Sequence, residues 1–142
     1  MKFWDSSAIL PLLVQEDSTP RLRALYEAEP EMLAWWGTPV ECVSALARLE
    51  RESQLDSPAV SSAIRQLQAL ADEWHEVQPV EAIRQTATRL LRVHNLRAAD
   101  SLQLAAALVA SEGRPAAIPF VCLDLQLRTA AEREGFQIVA AA

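Results

Sequence analysis

Four acidic residues stand where the chain turns from an apolar run into a helix: Asp5 in KFWDSSAIL, Glu41 in TPVECVSAL, Asp100 in AADSLQLAAAL and Asp124 in FVCLDLQL. Each has an ordinary structural account. Asp5 and Asp124 are natural N-caps, Glu41 completes a T-x-x-E capping box with Thr38, and Asp100 in a first helical turn favours the helix dipole. Brought together, the same four carboxylates would repel one another, and keeping them ionised in a partly buried cleft is costly unless a cation neutralises them. Hard oxygen donors select Mg2+ or Mn2+ over zinc. Such an ion polarises a phosphate oxygen and lowers the pKa of a water, which is the chemistry of phosphodiester hydrolysis.

The elements around these residues decide whether they can meet. Residues 2–4 read as a short strand, followed by a helix from Ser6 to Val14 that Pro11 interrupts. A second helix opens at Ser18 with Pro20 in its first turn and ends before Pro30; MLAWW is then a buried strand closed by Gly37. The spacing predicts a helix over 38–53, capped by Thr38 with Pro39 at its first position, and another capped by Ser57 that runs toward Trp74. HEVQ is a brief extended piece, 79–95 a helix, and 98–113 an alanine-rich buried helix ended by Gly113. PFVCL reads as a strand, DLQLRTAAEREG as a helix and FQIVA as a last strand. Short apolar strands alternating with amphipathic helices imply an α/β fold with a mainly parallel sheet covered on both faces. Ligands of such sheets bind beyond the carboxyl ends of the strands, and all four acids belong to that edge.

Composition bounds the function classes. The 142 residues, half of them apolar, suit one domain with one core, so 1–142 is expected to be a single unit. No run of about 18 apolar residues is present and the start lacks the pattern of a signal peptide, so a soluble, cytoplasmic protein away from membranes is expected. Cys42 and Cys122 lie in apolar runs without metal-ligand spacing, which fits reduced core residues. A net charge of −6 argues against a general basic surface for nucleic acid, although a carboxylate site lowers the charge by itself.

Four segments in order, WDSSAILPLLVQE, WWGTPVECVSALARLER, LRAADSLQLAAAL and FVCLDLQLRTAAEREGF, carry a resemblance that spans essentially the whole chain. The sequence resembles the PIN domain and, within it, the VapC-type toxin ribonucleases of type II toxin–antitoxin pairs. The resemblance implies a PIN-like three-layer α/β/α sandwich and a Mg2+- or Mn2+-dependent endoribonuclease that hydrolyses RNA with a metal-activated water. It also implies inhibition by a small cognate antitoxin and a homodimer. Carried over by position, the acidic quartet is Asp5, Glu41, Asp100 and Asp124, with Asp5 and Asp100 as direct metal ligands. On the same basis Ser7 is the hydroxyl that orients a carboxylate or contacts substrate, with a second helix-cap hydroxyl as the other account. Gln103 stands where the family often carries a histidine or an aliphatic residue.

Other residues keep two readings at this point. Arg92 and Arg97 flank the entry to the Asp100 helix and are candidate RNA contacts, while Arg48 and Arg51 fit a solvated, ion-paired helix face better. Trp35 and Trp36 read as buried packing residues and His94 as a helix-terminal or surface cation. Leu22, Leu25 and Tyr26 belong either to the core or to a dimer or antitoxin groove. A catalytically silent PIN-like protein-binding module is the alternative function. A haloacid-dehalogenase-type phosphatase would want an aspartate where Ser7 stands, and a receiver-type site a late lysine where the chain has only Lys2.

Overall fold

Strand residues that alternate between two apolar faces set the architecture. The computed structural model describes residues 1–139. Strands β1 (Lys2–Trp4), β2 (Met32–Trp35), β3 (His75–Val77), β4 (Phe120–Val121) and β5 (Ile138–Val139) form one sheet in the order β3-β2-β1-β4-β5. All four pairings are parallel, with Phe3 opposite both Leu33 and Phe120. Helices α1 (Ser6–Leu13), α2 (Thr19–Ala28), α3 (Thr38–Arg51) and α4 (Ser57–Glu73) share one core with Trp4, Met32, Ala34 and Val121. Helices α5 (Glu81–Val93), α6 (Ala98–Ala110) and α7 (Leu125–Arg133) share a second core with Phe3, Trp35 and Phe120. Phe3 and Trp4 are neighbours in sequence yet lie in different cores, as the two-residue period of a strand requires. The result is a three-layer α/β/α sandwich, the expected fold class.

Each layer has a recognisable aromatic or aliphatic spine. Phe120 stacks on Phe3 at 5.2 Å and meets Phe136 at 5.3 Å on one side. On the other, Tyr26 meets Trp4 edge-on at 6.4 Å, and Leu22 is fully buried, so α2 contributes to the core. Gly37 has a steric reason: a Cβ there would lie 2.6 Å from the Trp35 indole nitrogen, so only glycine lets α3 start this close to the end of β2.

Several local expectations are corrected. Pro11 does not interrupt α1, which continues to Leu13; the Thr19 hydroxyl donates to the Pro11 carbonyl at 2.7 Å and supports the final turn. Asp56, not Ser57, caps α4 through a 2.9 Å bond from the Ala59 N–H. Gly37 occupies the cap position of α3, and Thr38 lies fully buried inside the first turn, so the anticipated capping box does not form. The strand containing Trp35 ends there, and Trp36 is 53% exposed in the following turn. The last strand is described over Ile138–Val139; its expected last residue, Ala140, lies outside the described residues.

His94 also differs from expectation. It ends α5 with its side chain only 5% exposed, and Nε2 lies 2.7 Å from a Glu134 oxygen. Arg89 holds the same carboxylate through two bonds of 2.9 and 3.2 Å, which keeps Glu134 below the usual glutamate range. No helix among the described residues is long and apolar enough to cross a membrane.

Candidate active site

The order of the strands reverses at β1: the chain moves from β1 to β2 to β3 on one side, and β4 and β5 fill the other. Loops leaving β1 and β4 therefore part in opposite directions, and a crevice opens above their carboxyl ends. Asp5 follows β1 directly, and Asp124 follows β4 after Cys122 and Leu123. Both are helix caps as expected. Asp5 Oδ2 accepts from the Ser7 N–H at 3.1 Å, and Asp124 Oδ1 accepts from the Leu127 N–H at 2.9 Å. Capping uses one oxygen of each and aims the carboxylates along the helix N-termini at the same edge.

Ser7 ties these two loops together. Its hydroxyl donates to Asp5 Oδ2 at 2.6 Å and accepts the Leu123 N–H at 3.0 Å. The Cys122 thiol lies 3.5 Å from the same Asp5 oxygen. Asp5 is thus held from three sides, with only 3% of its surface exposed, and it is not itself among the residues that line the crevice. Burial raises its pKa, and the bonds from Ser7 and Cys122 oppose that rise.

Glu41 and Asp100 form the walls. Freed from the capping box, Glu41 accepts from the Ser6 hydroxyl at 3.0 Å on Oε1 and from the Gln103 amide at 3.0 Å on Oε2. The same Gln103 nitrogen donates to Thr38 Oγ1 at 2.9 Å, so a fully buried α6 side chain locks the first turn of α3. Burial, then the charge of Asp5, pushes the Glu41 carboxyl up to about 7; Asp100 adds to the rise. Asp100 is pushed up to about 6 by burial and by the charges of Asp124 and Asp5, against the pull of Arg97. Glu41 and Asp100 therefore resist ionisation first because they are buried and then because neighbouring carboxylates are near.

Glu41, Ser44, Ala45 and Arg48 form one stripe of α3 along a cleft of about 570 Å³, facing Arg97, Asp100, Asp124 and Gln126. Arg97 stands at this cleft and so does Arg48, which had looked like part of a solvated face. Arg92 does not: it lines a separate hollow with Gln85, Thr88, Arg89 and Val93. Ser6 and Gln103 are contacts that sequence reasoning passed over. The signal for Gln103 was a lone amide in an otherwise apolar helix face, where a buried polar group demands a partner.

The donor set suits a hard divalent ion, because every candidate ligand is a carboxylate and a cation would offset both the burial and the neighbouring charges that raise Glu41 and Asp100. Among the described residues, no three His, Cys, Asp or Glu side chains stand close enough together to enclose such an ion.

Comparison with known proteins follows the same direction. The chain is 31% identical over 142 residues to two proteins of Mycobacterium tuberculosis, ribonuclease VapC45 of strain CDC 1551 / Oshkosh and ribonuclease VapC49 of strain ATCC 25618 / H37Rv. The match covers 98% of this chain and 94% of each relative. No family model matches the chain. Among solved structures, FitAcB from Neisseria gonorrhoeae superposes with a TM-score of 0.67 at 16% identity, covering 97% of this chain and 96% of that one. FitAB bound to an IR36 DNA fragment gives 0.65 at 16% identity, covering 97% and 93%. The architecture is that of a PIN-domain protein. The chain belongs to the VapC ribonuclease family.

Proposed function

We propose that residues 1–142 form a single PIN domain that acts as a divalent-metal-dependent endoribonuclease, the toxin of a toxin–antitoxin pair. The observation that carries this reading is the convergence of Glu41, Asp100 and Asp124 on one cleft above the strand-order reversal, with the charge of Asp5 felt by both Glu41 and Asp100, in a chain of ribonuclease relatives. Asp5 and Asp100 are the direct ligands of Mg2+ or Mn2+, Glu41 positions the ion or a water, and Asp124 completes the anionic wall. When bound, the ion polarises the scissile phosphate and raises the acidity of water. Ser7 and Gln103 keep Asp5 and Glu41 in place, and Arg97 holds the phosphate chain that enters the cleft.

The partner set in this reading is RNA as substrate, a small cognate antitoxin as inhibitor and a second copy of the chain, in the cytoplasm. Support for a protein partner comes from Val40, 72% exposed, and Val43, which border an apolar hollow with Ile64 and Ala71 between α3 and α4.

The test is cleavage of a mixed RNA pool by the purified protein with Mg2+, Mn2+ or EDTA, beside Asp5→Asn and Asp100→Asn. Cleavage that requires the metal and disappears in both variants is expected. Cleavage in EDTA, or full activity in both variants, overturns the mechanism.

A further inference from the structure

A second cavity, about 220 Å³, adjoins the acidic cleft, and two short segments run from one into the other. In the first segment His94 and Asn95 line the cavity and Arg97 lines the cleft. In the second, Asp124 lines the cleft, Leu125 the cavity and Gln126 both. The two hollows thus share a wall at the start of α7. From the geometry we infer that this cavity receives the base of a nucleotide next to the scissile phosphate, an inference that rests on the ribonuclease reading above.

The cavity has the chemistry a base needs. Single-stranded RNA is read by splaying a base out, covering its face and bonding its polar edge. Leu125, 71% exposed, offers an apolar platform at the mouth. The side chains of Asn95 and Gln126 supply amide donors and acceptors, and Arg133 a guanidinium. The Thr129 hydroxyl donates to the Leu125 carbonyl at 3.0 Å, so toward a base it has only acceptor capacity left.

His94 provides the firmest floor. Its Nε2 faces Glu134, a carboxylate held by Arg89, at 2.7 Å, which fixes the orientation of the ring and turns Nδ1 away from that pair. That Nδ1 is buried without any partner, an unusual and costly condition for a side chain so tightly oriented. It lies below the accessible surface, so the ring must shift for a base edge to become the partner that Nδ1 lacks. At about 220 Å³ the hollow has room for one flat ring system.

The experiment follows the His94 ring and Thr129 amide signals by NMR in the full chain, in EDTA, during titration with each of the four ribonucleoside 5′-monophosphates and with ribose 5-phosphate. Shifts that depend on the base, are absent with ribose 5-phosphate and vanish when Thr129→Phe fills the cavity are expected. No response to any nucleotide, or an equal response to ribose 5-phosphate, overturns the assignment. On an RNA pool, Thr129→Phe is expected to weaken base preference at one position beside the cut about fivefold, the worth of one lost hydrogen bond; an unchanged preference also overturns it. A base-dependent NMR response from a protein that cuts no RNA would instead sink the ribonuclease reading and leave a nucleotide site standing.

Discussion

Gln103 of α6 donates from one amide nitrogen to both Glu41 Oε2, at 3.0 Å, and Thr38 Oγ1, at 2.9 Å, and so joins α6 to α3 across 62 and 65 residues of chain at the point where Glu41 faces the cleft. The bond lowers the Glu41 pKa against the stronger effects of burial and Asp5. Gln103→Leu is therefore expected to move the Glu41 titration upward and shift the acidic limb of the pH–rate profile with it, at a stability cost of about 1 kcal/mol. An unshifted profile would show that the amide serves packing alone.

Ser7→Ala removes a 2.6 Å bond to Asp5 and leaves the Leu123 N–H without its acceptor. A destabilisation of about 2 kcal/mol is expected in urea unfolding, because a bond to a carboxylate is lost and a part-buried donor is stranded. Asp5→Asn keeps an acceptor for the cap and should cost less than Asp5→Ala. Equal losses in the two Asp5 variants would count against the capping role.

The raised carboxyls make stability depend on pH with a definite sign. Glu41 rises from 4.5 to about 7 and Asp100 from 3.8 to about 6, so the native state binds more protons than the unfolded chain between these values. Stability in EDTA should then fall as pH rises from 5 to 8, by several degrees in Tm. Added Mg2+ should restore Tm at pH 8 and do little at pH 5, where protons already quench the repulsion. A flat profile without metal would mean that Glu41 and Asp100 are not raised in the folded protein.

Arg97 and Arg92 separate two accounts of RNA contact, since only Arg97 reaches the cleft. Arg97→Ala should raise KM for RNA and reduce the slope of log affinity against log salt by about 1, while Arg92→Ala leaves both unchanged. An equal effect of the two would place the RNA across both hollows.

Removing charge at Glu41 should trade activity for stability. Glu41→Gln keeps polar atoms for the Ser6 and Gln103 bonds and deletes one of the mutually repelling charges, so the metal-free protein should melt higher at pH 8 while RNA cleavage falls by at least a hundredfold. A lower Tm would show that the carboxylate is stabilising as it stands.

Much of the fold was legible because it depends on local pattern. Alternating apolar residues announced the strands, and Pro39, Pro58 and the acids at helix starts marked where α3, α4, α1 and α7 begin. The failures share a cause. Thr38 and Glu41 have the spacing of a capping box, yet a side chain from α6 claims both, and no local rule can weigh a partner 62 residues away. Trp36 looked like a strand residue because its neighbour is one, and its N–H does reach the Val77 carbonyl of β3 at 3.0 Å, but the chain turns there into α3 and leaves the indole exposed. His94 looked like a surface cation until Glu134, forty residues on, was folded against it.

The sequence by itself determined the acidic residue types, their positions at helix starts and the parallel α/β order, because caps, turns and periodicity act over a few residues. Only the tertiary structure decided which of those residues face one another. The reversal of strand order at β1 brings Asp5 and Asp124 to one crevice, the Ser7 hydroxyl fixes their loops, and Gln103 turns Glu41 from a cap into a wall of the cleft. Those contacts are long-range, and their energies depend on burial, which a one-dimensional pattern does not contain.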